Sequence, residues 1–65
     1  MQVEIRASNN INTITVRGLI KRYNLRNGSL LITKTDDTKI RFKNINTFSC
    51  FEANTLYAEL EVTVV

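Results

Sequence analysis

The sequence lacks histidine and contains only one cysteine, Cys50, and two glycines, Gly18 and Gly28. Without histidine the chain has neither the commonest general base nor the commonest metal ligand, which excludes zinc sites of the usual kinds. A single cysteine forms no internal disulfide, and with no histidine to activate its thiol we expect Cys50 to be a small apolar filler. Two isolated glycines cannot build a glycine-rich phosphate loop. We therefore expect no enzymatic activity, no metal and no cofactor.

Long apolar runs are also missing. No stretch approaches the roughly 20 apolar residues of a transmembrane helix, and the start, MQVEIRA, lacks the apolar run of a signal peptide. We therefore expect a cytoplasmic protein. At 65 residues, 43% hydrophobic and 23% charged, the chain fits one globular domain over residues 1–65. Its frequent Asn, Ile and Thr are typical of AT-rich coding sequences, such as those of phages and mobile elements.

Residues 19–44 predict a three-stranded antiparallel meander. Asn27-Gly28 between alternating apolar residues indicates a two-residue type I′ turn, because Asn and Gly tolerate the two positive φ angles that this turn requires. A two-residue loop also fixes the register, and the opposed residues on the core face are then Tyr23 with Ile32 and Leu25 with Leu30.

The second turn of the meander follows from the same register. A two-residue loop at Asp36-Asp37 would place Ile32 opposite Arg41, which puts a charge on the core face. An odd loop of three or five residues centred on Asp36 avoids this, with Asp36 or Asp37 in the unusual φ region. The opposed residues on the core face are then Ile32 with Ile40 and Leu30 with Phe42.

Alternating apolar and polar residues predict strands on both sides of the meander. Residues 2–7 and 11–17 fit two strands before it, and Gly18, which follows them, indicates a bulge or a sharp bend. Residues 45–53 fit a strand with Phe48 and Cys50 facing the core. Ser49 and Glu52 also match a capping box, which would instead start a short helix within residues 50–57.

The end of the chain predicts the longest strand, over residues 56–65. Its inward residues would be Leu56, Ala58, Leu60, Val62 and Val64. Five to six strands at this length must close on themselves or pack in two layers, because an open sheet would leave an apolar face in water. We therefore expect an all-β protein, a small antiparallel barrel of SH3-like or OB-like size or a sandwich, built on the central meander.

Positive charge is concentrated on the meander. Residues 17–43 carry eight of the nine cations and two of the six acids, a local balance of +6 against −3 for the rest of the chain. Alternation places five cations and one leucine on the side opposite the core, with Lys21 and Lys34 at the margin. We call this side the basic face and take the following residues as the candidate partner-binding set: Arg22, Arg26, Leu31, Lys39, Arg41 and Lys43.

Three interpretations of the basic face remain open. Leu31 ringed by charges is typical of the centre of a protein interface, which predicts an inhibitor or adaptor that binds an acidic protein. The same cations fit phosphates, which predicts sequence-independent nucleic-acid binding, although the face has no aromatic ring for base stacking. In the third interpretation the face has no partner and only keeps a small β protein soluble and its edges unpaired.

A second interaction surface is predicted on the outward side of the last strand. Tyr57, Glu59 and Glu61 form an acidic stripe there, which complements the basic face in charge. If the last strand is an edge, strand addition or face-to-face docking would join two copies of the chain. The sequence therefore also predicts a homodimer, and with it a structural protein that acts through self-association.

Overall fold

The computed structural model describes residues 1–53 and 59–65, and these residues form seven β-strands and no helix. They lie in two antiparallel sheets, one of four strands in the order β6-β1-β2-β7 and one of three in the order β3-β4-β5. The all-β prediction is confirmed, and the two sheets fit a small sandwich-like arrangement. The strands are β1 (Gln2–Ser8), β2 (Thr13–Leu19), β3 (Arg22–Arg26), β4 (Ser29–Thr33), β5 (Lys39–Phe42), β6 (Thr47–Glu52) and β7 (Glu61–Val64).

The core is one apolar cluster to which both sheets contribute. Its fully buried side chains come from β1, β2 and β4, which each have a neighbouring strand on both sides, and from Ile20 in the connection between the sheets. Burying a valine, leucine or isoleucine contributes about 1.5–3 kcal/mol each, so these residues supply the main stabilising term. The buried apolar residues are Val3, Ile5, Ala7, Ile14, Val16, Ile20, Leu30 and Ile32.

The meander has the predicted register. Asn27 and Gly28 have φ angles of 51° and 74°, as the type I′ turn requires. Five residues separate Thr33 from Lys39, its partner on β5, and Asp37 takes the positive φ angle of 69°. The opposed pairs on the core side are Tyr23 with Ile32, Leu25 with Leu30, Ile32 with Ile40 and Leu30 with Phe42. Leu25 is nevertheless exposed, since β3 is an edge strand.

The second strand starts later than predicted, at Thr13. The side chain of Asn9 accepts hydrogen bonds from the amides of Ile11 and Asn12 at 2.9 and 2.7 Å, and these bonds hold residues 9–12 in a turn. Ile11 is therefore outside the strand and is 87% exposed. At the other end, β2 continues through Gly18 to Leu19.

Gly18 lies inside β2, opposite Val3, with a φ angle of 138°. The segment at Glu59 and Leu60 passes close to the backbone of Gly18. A Cβ atom at this position would lie 2.9 Å from the Cα atom of Leu60 and 3.0 Å from the carbonyl oxygen of Glu59. Glycine thus lets the segment before β7 pass against β2, which no larger residue allows without a shift of the backbone.

The strand predicted over residues 45–53 is present as β6. Phe48 and Cys50 are half-buried against the core, as expected, and Cys50–Glu52 are extended, so a helix starting at Cys50 is excluded. The remainder of that predicted helix, residues 54–57, lies outside the described residues.

The last strand is shorter than predicted. Glu59 and Leu60 precede β7 without belonging to it, and Leu56, Tyr57 and Ala58 lie outside the described residues. Val62 and Val64 are 41% and 51% exposed, so their predicted burial is wrong. They lie opposite Val16 and Ile14 and share their side of the sheet, but β7 is an edge strand and the core does not extend over it.

Gly18→Ala is expected to destabilise the fold by about 3 kcal/mol, because both the φ angle and the contact with Leu60 oppose a Cβ atom. Gly28→Ala is the matched control, since its Cβ would have no neighbour closer than 3.6 Å and only the φ angle opposes it. We expect a loss of about 1 kcal/mol there. Urea unfolding measures both, and equal losses would contradict the role of the Leu60 contact.

Asp36 is expected to titrate below the ordinary range of aspartate. The hydroxyl and the amide of Thr38 donate to its carboxylate at 2.6 and 3.1 Å, which lowers its pKa, and Lys34 lowers it further. The charged form is thus favoured in the folded state, and its stabilisation is lost as pH falls through the folded pKa. Thr38→Val should raise the pKa of Asp36 in a carboxyl NMR titration, and Thr63→Val, on the other sheet, should leave it unchanged. An unchanged pKa in Thr38→Val would refute this assignment.

Candidate functional site

The register of the three-stranded sheet assembles the basic face in rows that run across its strands. Because side chains alternate along a strand, every residue in these rows lies on the side opposite Leu30 and Ile32. One row is Arg22, Thr33 and Lys39, the next is Asn24, Leu31 and Arg41, and the third is Arg26 and Ser29, with Lys43 just beyond the end of β5.

The charged residues of the basic face are more exposed to solvent than the residues at its centre. All five cations of the basic face are exposed, whereas Leu31 is half-buried and Thr33 is only 3% exposed. Leu31 and Thr33 lie on the middle strand, where side chains of β3 and β5 flank them on both sides. The face is therefore a shielded central strand with long cationic side chains along both margins.

A shallow depression of about 350 Å³ lies on the basic face. Leu31 provides its apolar lining, Arg26 and Arg41 provide two guanidinium groups, and the other lining residues are polar: Asn24, Asn27 and Ser29. Guanidinium groups bind carboxylates and phosphates through two parallel hydrogen bonds. Of the predicted set, the structure thus brings Arg26, Leu31 and Arg41 together in one concavity and places Arg22, Lys39 and Lys43 outside it.

The charges of the basic face have no internal partners among the described residues. The ion pairs found there join Glu4 to Arg6 and Arg17, at 3.1 and 2.7 Å, and Asp37 to Lys21, at 2.6 Å. The marginal cation Lys21 is thus neutralised by the turn of the meander. The five cations of the basic face take part in no ion pair of residues 1–53 and 59–65, so their charge is available to a partner.

The aromatic rings of the meander point to the core side. Tyr23 packs on Phe48 of β6 with ring centroids 5.6 Å apart, and Phe42 is half-buried against the core. The pKa of Tyr23 is raised by its contact with Cys50 and by burial, as expected for a phenol held in the seam between β3 and β6. In the described part of the chain, the basic face therefore offers no ring for base stacking.

The outer face of the four-stranded sheet differs in its electrostatics. Glu4 lies between Arg6 and Arg17, and Arg17 has Glu61 as its partner on β7, so acids and bases alternate. A depression of about 340 Å³ on this sheet is lined by Arg6, Ser8, Thr13, Thr47 and Ser49 together with Ala7 and Phe48. Its polar groups are partly used internally, since the hydroxyls of Ser8 and Thr47 bond to each other and Arg6 pairs with Glu4.

The predicted self-association residues are only partly described. Tyr57 lies outside the described residues, whereas Glu59 and Glu61 are exposed at the start of β7. Sequence reasoning did not identify Asn24, Asn27 and Ser29 as part of a concavity, although Asn24 and Ser29 were on the predicted face. Their role depends on the shape of the sheet, which alternation alone does not give.

Comparisons with models of protein families, with curated protein sequences and with solved structures find no match for this chain. Within residues 1–53 and 59–65, no three acidic or cysteine side chains converge on a point that would hold a metal ion. The same residues contain no helix that could cross a lipid bilayer.

Adjacent leucines on β4 test the assignment of the two faces. Leu30→Ala should cost about 3–5 kcal/mol, because Leu30 is completely buried and its removal leaves a cavity. Leu31→Ala should cost about 1 kcal/mol, because the half-buried Leu31 lines an open depression. Denaturant unfolding of both variants measures the difference. Equal losses would show that Leu31 belongs to the core and that the basic face is misassigned.

Proposed function

We propose that the protein is a small cytoplasmic binding module without enzymatic activity, encoded by a phage or mobile element, that docks its basic face on an acidic protein. In this proposal the two sheets pack as a sandwich that holds the face rigid, and binding inhibits or recruits the partner. The observation that carries the proposal is the depression in which Leu31 lies beside Arg26 and Arg41.

The depression fits the chemistry of a protein interface. Energetically important interface residues cluster around an apolar or aromatic group that is shielded from water, and arginine is enriched among them. Leu31 offers an apolar surface to one side chain of the partner, and Arg26 and Arg41 offer bidentate hydrogen bonds to carboxylates beside it. The outer cations Arg22, Lys39 and Lys43 would act mainly on the association rate, because charges at the rim of an interface remain hydrated.

Nucleic acid is the alternative ligand, and two observations favour protein over it. Proteins that bind single strands combine cations with aromatic stacking platforms, which the described part of the basic face lacks. An apolar residue at the centre of the face also gives no advantage to phosphate binding. Five phosphate contacts would nonetheless give a salt slope near −4.5 on duplex DNA, or about a 500-fold loss of affinity between about 50 and 200 mM salt.

The first experiment titrates the protein with four labelled probes by fluorescence anisotropy at two salt concentrations. The probes are an acidic peptide that alternates aspartate and leucine, polyglutamate of equal charge, and single- and double-stranded oligonucleotides. We expect the aspartate-leucine peptide to bind most tightly, because only this peptide fills the depression with an apolar group between carboxylates. Oligonucleotide binding that exceeds peptide binding and shows the salt slope above would replace the protein partner with nucleic acid.

Variants then locate the binding. Leu31→Thr should lower the affinity for the aspartate-leucine peptide about tenfold, equivalent to about 1.4 kcal/mol, and should leave the affinity for polyglutamate unchanged. Arg41→Gln should lower the affinity for both peptides. Arg6→Gln is its matched control, since it removes the same charge from the other sheet. The double reversal of Arg41 and Lys43 to glutamate should abolish binding with the fold intact. Equal effects of Arg6→Gln and Arg41→Gln would mean that only net charge acts, which refutes the proposed face.

A further inference from the structure

The backbone of β7 has one bonded side and one outward side, and the hydrogen-bond pattern identifies them. Thr13 and Val65 exchange two backbone hydrogen bonds, of 2.8 and 2.9 Å. In an antiparallel ladder such bonded pairs recur at every second residue, so Thr63 and Glu61 also bond to β2. The N–H and C=O groups of Val62 and Val64 therefore point away from β2, along the outer edge of the four-stranded sheet.

The other sheet edges are protected in ways that β7 is not. On β5, the residues whose backbone groups point outward are Lys39 and Arg41, and cationic side chains on an edge oppose strand pairing. On β3, Arg22 and Arg26 flank the outward positions. On β6, the outward positions are Phe48, Cys50 and Glu52; the ring of Phe48 packs on that of Tyr23, and the exposed Glu52 places a charge at the end of the edge.

On β7 the two outward positions are exposed valines. Its single charge, Glu61, lies at the strand's first position and faces Arg17, and no bulge interrupts the strand. Among the described residues, β7 pairs with β2 alone. An apolar edge of this kind, without lysine or proline, is a ready template for another strand.

We propose that two copies of this chain associate by antiparallel pairing of β7 with β7, which joins their four-stranded sheets into one continuous sheet. A two-fold axis at Thr63 places Val62 of each copy opposite Val64 of the other, so the outward backbone groups of both residues bond across the axis. Because this axis is perpendicular to the sheet, the core sides of both copies lie on the same side of the joined sheet. The four valines therefore form one apolar strip on that side.

The charges of β7 fit a second copy of the same strand. In this register Glu61 of each copy lies opposite Val65 of the other and keeps Arg17 of its own β2 beside it, so no like charges oppose each other. The basic faces belong to the other sheets and stay exposed. The dimer is thus independent of the partner proposed above and would make that binding bivalent.

Sedimentation velocity over a range of protein concentrations at about 50 and 300 mM salt tests the dimer. We expect the mass to approach twice 7.5 kDa as concentration rises. The affinity of the dimer should be unchanged or higher at high salt, because salt screens the repulsion between two chains of charge +3. A monomer at every concentration would overturn the proposal. A dimer that dissociates as salt rises would also overturn it, since it would indicate the basic face docking on the acidic stripe.

Val64→Pro tests the edge itself, because it removes an outward N–H and leaves the bonds to β2 intact. It should give a monomer with an unchanged circular dichroism spectrum. Glu52→Pro, at an outward position of β6, is the matched control and should leave the dimer in place. If Val64→Pro fails to fold, N-methylation of Val64 in a synthetic chain removes the same N–H. A dimer that survives the loss of this N–H, in either variant, refutes the β7 interface.

Discussion

The positive φ angles of Asn27 and Gly28 are the constraint on which the rest of the three-stranded sheet depends. They make the turn two residues long, and this length decides that Leu30 and Ile32 face the core while Leu31 faces the cations. A shift of one residue would exchange these faces and bury charge. The same turn also anchors the return to the other sheet, since Ile45 donates to the carbonyl of Gly28 at 2.8 Å and Asn46 donates to Ser8 on β1 at 2.7 Å.

Features set by neighbours in sequence were predictable apart from the turn at Asn9, whereas features set by distant segments were not. Both turns of the meander and its core face followed from the spacing of Asn27-Gly28 and Asp36-Asp37. The late start of β2 was missed because Asn9 forms its turn with amides that composition does not single out. The exposure of Val62 and Val64 was missed because alternation does not reveal which strand lies at an edge. Gly18 was predicted to mark a bulge or a bend, but β2 pairs with β1 through it without a bulge, and the segment that approaches it, at Leu60, lies 42 residues away in the chain.

The candidate site shows the same division. Segregation of charge in the sequence was sufficient to predict a basic face, and strand alternation was sufficient to predict its members. The concavity was not predictable, because it requires Arg26 on β3 and Arg41 on β5 to flank Leu31 on β4 in a twisted sheet. Nor did the sequence show which cations are neutralised. Lys21 belongs to the basic stretch of the chain, but the five-residue loop brings Asp37 to its ammonium group.

The edges of the two sheets differ in charge, and this difference is the physical basis of the two interactions proposed above. In the three-stranded sheet, cations on both edge strands oppose pairing with a like strand, and in the proposed function the same cations attract an acidic ligand. In the four-stranded sheet, Glu4 pairs with Arg6 and Arg17, and Glu61 lies opposite Arg17, so these four charges sum to zero and the strand itself carries no cation that would oppose pairing with a like strand at β7. A chain of 65 residues buries only about 60% of its unfolded surface. Covering the exposed valines of β7 in a dimer would therefore add to a core of limited size. It would do so at an edge strand that carries no cation, in the sheet that does not form the basic face.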